Sequence, residues 1–241
     1  MKSFPLFGGA GESRNLATDL ETTIPVARGD RRSFLRKAAV AGVAVPAAMV
    51  AMSPDTASAN HISDSDVTNF TDLLIHENQH VARLQVVLGA DARPKPNFNN
   101  LELPDFLSFT QAAQALENTG VGAYLGAAGF ILNPEVLARA AEIAFIEARH
   151  AGWLNTRRGD RITMNVLGEE QSFERALVQE EVVALAGPFI RDLNGGPPLA
   201  FSTTTKSFEN DVAILNFALA LEYLEAEFYN INVPKFLYSG L

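Results

Sequence analysis

The chain has 241 residues, 47% hydrophobic and 20% charged, with a formal net charge of -9 and no cysteine. That length suits one domain or two small ones with a proper core, and the charged fraction argues against wholesale disorder. An excess of 28 Asp+Glu over 19 Lys+Arg argues against a general nucleic-acid binder. Without cysteine there are no disulfides, zinc–thiolate sites, iron–sulfur clusters or thiol nucleophiles. Any metal must therefore sit on carboxylates and on the four histidines.

In chain order, the first feature is an address. Arg31-Arg32-Ser33-Phe34-Leu35-Arg36-Lys37 is a twin-arginine run, followed by the small, apolar and uncharged Ala38 to Met52. Ala57-Ser58-Ala59 then offers a small-residue cleavage site. This three-part layout predicts an export signal over residues 1–59, and the paired arginines point to the Tat route and its translocase. The apolar run is short for a membrane-spanning helix, and no later run is long enough. The expected mature protein is residues 60–241, periplasmic or extracellular, and exported already folded. Beyond the signal, acid outnumbers base 23 to 12.

From Asp64 the dominant period is helical. The first helix is expected over 64–88, capped by Ser63 or Asp64, with Val67, Phe70, Leu74, Val81, Leu84 and Leu88 on one stripe. Glu77 stands on that stripe where an apolar residue is due, with His80 beside it. The second helix is expected over 105–132, its face marked by Phe106, Phe109, Ala113, Val121 and Tyr124 and interrupted by Glu117. The third, over 133–155, has Asn133 as cap and Pro134 at the first helical position. Its stripe is Val136, Ala140 and Ile143, then Glu147, His150 and Leu154. A further stretch, 172–190, reads as an extra helix. The last long helix, over 209–230, carries Val212, Leu215 and Ala218, then Glu222, Glu225 and Tyr229.

Ionised carboxylates avoid core faces because desolvation costs several kcal/mol unless something pairs with them. Here four helices each place one in mid-stripe. Two carry Glu-x-x-His, Glu77–His80 and Glu147–His150, a spacing that puts both side chains on one face. The other two carry a glutamate with a tyrosine two turns later, Glu117–Tyr124 and Glu222–Tyr229. Four carboxylates and two imidazoles on four helices is the ligand set of a two-metal site in a bundle core. Four negative charges match two divalent ions, and oxygen-rich ligands with two imidazoles suit iron or manganese.

At these residues the sequence resembles the ferritin-like superfamily, and is similar to the bacterial ferritin-like domain proteins related to desiccation-related proteins. The resemblance is carried by the stretch from Leu215 to Tyr229, by Glu117-Asn118-Thr119-Gly120-Val121-Gly122-Ala123-Tyr124 and by Glu147-Ala148-Arg149-His150. Together with the first helix it covers most of 64–232. It implies an all-α, ferritin-like four-helix bundle with Glu77, His80, Glu117, Glu147, His150 and Glu222 as metal ligands. Tyr124 and Tyr229 match tyrosines near the site and are the candidates for a catalytic role. Family members usually begin with the Glu222-type helix, which stands last here. A permuted bundle, a helix exchanged between protomers, or the start of a lost second domain would each explain the order. The 16 residues from Gly89 to Pro104 favour the permuted bundle: extended, they span about 50 Å, enough to return along a helix of about 36 Å.

Several residues are assigned bland roles. Glu169, Glu170, Glu180 and Glu181 are expected to be solvated, His61 exposed, Trp153 in the core, and His76 beside the site or on the surface rather than a ligand. Glu225, also facing the core, is an open candidate to replace or supplement Glu222. The functional expectation is an exported two-metal carboxylate protein acting on dioxygen or peroxide, as ferroxidase, oxidase or catalase, and able to form a homo-oligomer. The alternative is a non-catalytic stress or desiccation protein whose metal is structural or absent.

Overall fold

The structure is a computed structural model that describes residues 61–238; the expected export signal over residues 1–59 lies outside the described residues. Four long helices dominate: α1 (Asp64–Leu88), α2 (Phe106–Ala128), α3 (Pro134–Arg157) and α5 (Phe208–Val233), with the short α4 (Gln179–Ala186) between the last two. Their starts are set by side chains that satisfy free backbone N–H groups. Ser63 and Asp66 cap α1 reciprocally. Asp105 accepts from the Ser108 N–H at 2.7 Å, Asn133 from Glu135 at 2.8 Å and Ser207 from Asn210 at 3.1 Å. Pro134 opens α3, where its missing N–H costs nothing.

The helices form an all-α bundle in which α1 packs on α5 and α2 on α3. Side-chain bonds fix the remaining neighbours. Arg157 at the end of α3 pairs with Asp66 at the start of α1 at 2.6 Å, and Arg83 pairs with Glu142 further along the same seam. Tyr124 and Tyr229 link α2 to α5. Each of these neighbours is antiparallel, so α1 and α2 run parallel across the diagonal, as do α3 and α5. The α1–α2 link, residues 89–105, must therefore travel the bundle's length, as its 17 residues allow. The last helix packs against α1 of the same chain, which completes the four-helix layer.

The core has two apolar halves. Phe70, Phe106, Phe109, Leu154, Phe228 and Tyr229 belong to one; Leu84, Leu88, Ile143, Leu215 and Leu219 belong to the other. On every long helix the mid-stripe glutamate lies between them. Trp153 packs edge-on against Phe70 but is only half-buried.

Three stretches differ from the sequence expectation. Helix α2 ends at Ala128 rather than 132, because the Leu132 and Asn133 N–H groups donate to Asp211 of α5 at 2.7 and 2.9 Å. The extra helix shrinks to Gln179–Ala186 because the preceding residues form a strap over α2. The Leu177 N–H donates to the Gly122 carbonyl at 2.9 Å. Glu181 is not solvated: it accepts from the Val178 N–H at 3.1 Å and pairs with Arg175 at 2.7 Å. A two-stranded ribbon, β1 (Asn97–Phe98) with β2 (Ile190–Asp192), ties the two long connections together.

The strap needs glycine beneath it. A Cβ on Gly126 would overlap the Leu177 carbonyl oxygen, a backbone atom that no rotamer change can move. Gly126→Ala is expected to cost about 3 kcal/mol, or to detach the strap. A urea midpoint unchanged from the parent would show that the strap is not packed in this way.

Candidate metal centre

The polar layer between the two apolar halves holds five carboxylates and two imidazoles, all buried. Glu77, Glu117 and Glu147 are 0% exposed, Glu222 1% and Glu225 3%. His80 Nδ1 lies 3.1 Å from Glu77 Oε2, 3.0 Å from Glu147 Oε1 and 3.2 Å from Glu222 Oε2. His150 Nδ1 lies 3.1 Å from Glu77 Oε1 and 3.0 Å from Glu117 Oε2. The near two-fold arrangement follows from the sequence. Each Glu-x-x-His presents both groups on one helix face, and α1 and α3 are antiparallel neighbours.

Two four-residue groups result. Glu77, His80, Glu147 and Glu222 offer ligand atoms all within 4.8 Å of one another, and so do Glu77, Glu117, Glu147 and His150. Glu77 and Glu147 belong to both. Either group could hold a metal ion, and the shared residues would sit between two.

The tyrosines repeat the symmetry. The Tyr124 hydroxyl donates to Glu222 Oε1 and the Tyr229 hydroxyl to Glu117 Oε1, each at 2.6 Å. They therefore hold the two unshared carboxylates, each from the helix opposite. Burial, then the facing carboxylate, pushes both hydroxyls well above the usual tyrosine range, so they remain donors.

Without metal, the imidazoles are the only cations in the layer among the described residues. Burial disfavours their charge, but hydrogen bonds to Glu222 and Glu77 outweigh it at His80, which is raised to about 10. Glu117, then Glu77, likewise raise His150 to about 10. Burial also opposes ionisation of Glu77, yet the facing imidazoles of His150 and His80 bring it down to about 2. Glu222 is lifted by burial to about 7 despite its bond from His80. Burial and the surrounding carboxylates push Glu147 and Glu225 well above the usual range.

The donor set fits a cation better than it fits protons. Glu77 Oε1 and both oxygens of Glu147 are fully buried and accept no aligned hydrogen bond, although an imidazole nitrogen lies 3.1 Å from the first and 3.0 Å from Glu147 Oε1; buried carboxylate oxygens without such a bond are costly. These orphaned oxygens belong to the two residues that both groups share. Positive charge placed between the groups would satisfy them.

Glu225 is in neither four-residue group. It flanks them on the α2 side. A Cβ on Gly120 would lie 3.2 Å from Glu147 Oε2 and 3.6 Å from Glu225 Oε1, so glycine here lets the α2 backbone approach both carboxylates closely. His76 is half-buried and touches the centre through His150: His76 Nδ1 is 3.0 Å from His150 Nε2. The α1 stripe alone excludes His76 as a core ligand, but nothing in it shows that a ring from α3 reaches across. His61, Glu169, Glu170 and Glu180 lie away from the two groups, and His61 is exposed as expected. Among the described residues no helix is long and apolar enough to cross a membrane.

A sequence model of the ferritin-like domain matches residues 37–160 and 210–238. The two stretches contain every residue of both groups, together with Tyr124, Glu225 and Tyr229, and leave out the strap and α4. No curated protein and no solved structure matches the chain.

Proposed function

Because the chain belongs to the ferritin-like domain family, we propose that its polar layer is a two-metal carboxylate centre that reacts with dioxygen or peroxide. One observation carries this reading: two overlapping carboxylate–imidazole groups share Glu77 and Glu147, and three of the four oxygens of that pair are buried without a hydrogen bond. Glu222, His80 and the shared pair would hold one ion, and Glu117, His150 and the shared pair the other. Iron or manganese bound there would supply reversible one-electron chemistry toward a small oxygen species.

The protein's own part is preorganisation. Tyr124 and Tyr229 fix the unshared carboxylates by donating to one oxygen of each, which leaves the other to face the centre. The aromatic half formed by Phe70, Phe106, Phe109 and Phe228 closes one end of the layer to water, and Leu84, Leu215 and Leu219 close the other. Gly120 lets α2 lie close against the Glu147 and Glu225 carboxylates. With Glu225 as the fifth carboxylate, the layer carries one acid more than two divalent ions neutralise. Held protonated by burial and the surrounding carboxylates, Glu225 would be available there as a proton donor.

We place this activity outside the cytoplasm, with residues 1–59 as a Tat export signal. The twin arginines, apolar run and Ala57-Ser58-Ala59 site support that placement. Replacing Arg31 and Arg32 by lysine is expected to retain the protein in the cytoplasm at its full uncleaved length.

The deciding experiment is elemental analysis with anomalous scattering on purified protein, joined to peroxide consumption and Fe(II) oxidation assays. Two ions per chain and turnover are expected, with both lost in Glu77→Ala and His150→Ala. Full metal content in those two variants would mean that the site is elsewhere. Two bound ions without any turnover would make the metal structural.

A further inference from the structure

The two halves of the centre match in their ligands but not in what lies behind them. Among the described residues, His80 makes its hydrogen bonds through Nδ1 alone, and its far ring nitrogen has no hydrogen-bond partner. His150 has His76: the facing nitrogens are 3.0 Å apart, the ring planes 9° apart and the centroids 5.3 Å apart. Nearly coplanar rings with touching nitrogens lie end to end. That is the geometry of an N–H···N hydrogen bond and not of face-to-face stacking.

We propose that His76 is a positioning residue that makes the two metal subsites unequal, so that the Glu77–Glu117–Glu147–His150 group is the tighter and fills first. The inference rests on the two-metal reading above. Its chemistry is tautomeric. For His150 to offer the Nδ1 lone pair to a cation, its ring proton must sit on Nε2. That N–H then donates to the bare Nδ1 of His76, whose own proton sits on Nε2 at the half-buried edge of the α1–α3 seam. The bond fixes the tautomer of His150, stops the ring turning about its bond to Cβ, and makes Nδ1 a stronger donor. His80, lacking such a partner, must select its tautomer and orientation when the ion arrives. One helix supplies both pieces: α1 gives a ligand at His80 and, one turn earlier and toward α3, a support for the other half's ligand.

The test is an anaerobic titration of metal-free protein with Co(II), followed by calorimetry and by the visible spectrum of the bound ion. The parent is expected to take two equivalents, the first more tightly. His76→Ala should weaken the tighter equivalent by about 10–100-fold and shift its spectrum, while the other equivalent is unchanged. His76→Gln, whose side-chain oxygen can accept the His150 N–H, should recover most of the loss. Melting of the metal-free variants near the parent temperature separates this from loss of fold. Equal weakening of both equivalents, or of neither, overturns the proposal while leaving the two-metal reading standing. A parent protein that binds no Co(II) sinks both.

Discussion

Raising the pH from 6 to 9 lowers the melting temperature of the metal-free protein, and Mn(II) reverses most of that loss. The direction follows from which state binds more protons. His80 and His150 titrate at about 10 in the folded protein against a usual 6.5. Their pairing with carboxylates therefore contributes fully below pH 6.5 and is lost as the pH rises toward 10. Glu222, raised to about 7, acts the same way: its protonated form favours the folded state, and that contribution falls away between about 4.5 and 7. Glu77 has the opposite sign. Held at about 2, it stabilises above its usual 4.5 and loses that contribution only in stronger acid. The metal-free protein is thus most stable in mild acid, near about pH 5.

Each tenfold change in a proton equilibrium is about 1.4 kcal/mol. The alkaline loss should therefore reach several kcal/mol, a fall of about 10 °C for a domain of this size. Metal inverts the slope, because its ligands must be deprotonated and its affinity rises with pH. Melts in chelator and in Mn(II), from pH 5 to 9, would show two curves that diverge toward alkali. A flat metal-free curve would mean that the imidazoles are not the cations holding the empty layer together.

What could be read in the sequence was the part set by local periodicity. Residues 64–88 announce α1 because Ser63 caps it and apolar residues return every turn. The mid-stripe acids are legible for the same reason, since a glutamate where a leucine is due requires a partner. The illegible parts depend on residues far apart in the chain. Helix α2 stops at Ala128 because Asp211, some eighty residues on, takes the N–H groups of Leu132 and Asn133. Between Ala112 and Tyr124, α2 is buried on almost every side. The strap at Leu177 lies on its glycines Gly122 and Gly126, a contact that no local period of α2 encodes. The support given by His76 is illegible for the same reason, because its partner His150 lies 74 residues away.

Glu147→Gln is expected to stabilise the metal-free protein and to empty the metal centre. Stability and function pull apart at this residue because of its surroundings. Glu147 is fully buried and neither oxygen accepts a hydrogen bond. His80 Nδ1 lies 3.0 Å away but makes its hydrogen bonds to Glu77 and Glu222. Burial and four neighbouring carboxylates hold Glu147 protonated well above its usual range, at a cost to folding that grows with pH. An amide of the same shape cannot ionise, and its NH2 can donate to the acids around it. The expected gain is about 1–3 kcal/mol at pH 8, read from urea unfolding in chelator. Both metal groups include Glu147, so the same change should remove tight binding of both ions. Glu117→Gln is the contrasting case. Glu117 accepts from Tyr229 and from His150, so removing its charge strips His150 of a partner and should destabilise the metal-free protein. If Glu147→Gln lost stability while Glu117→Gln gained it, the roles of shared and unshared carboxylates would have to be exchanged. If Glu147→Gln kept two ions, Glu147 would not lie between them.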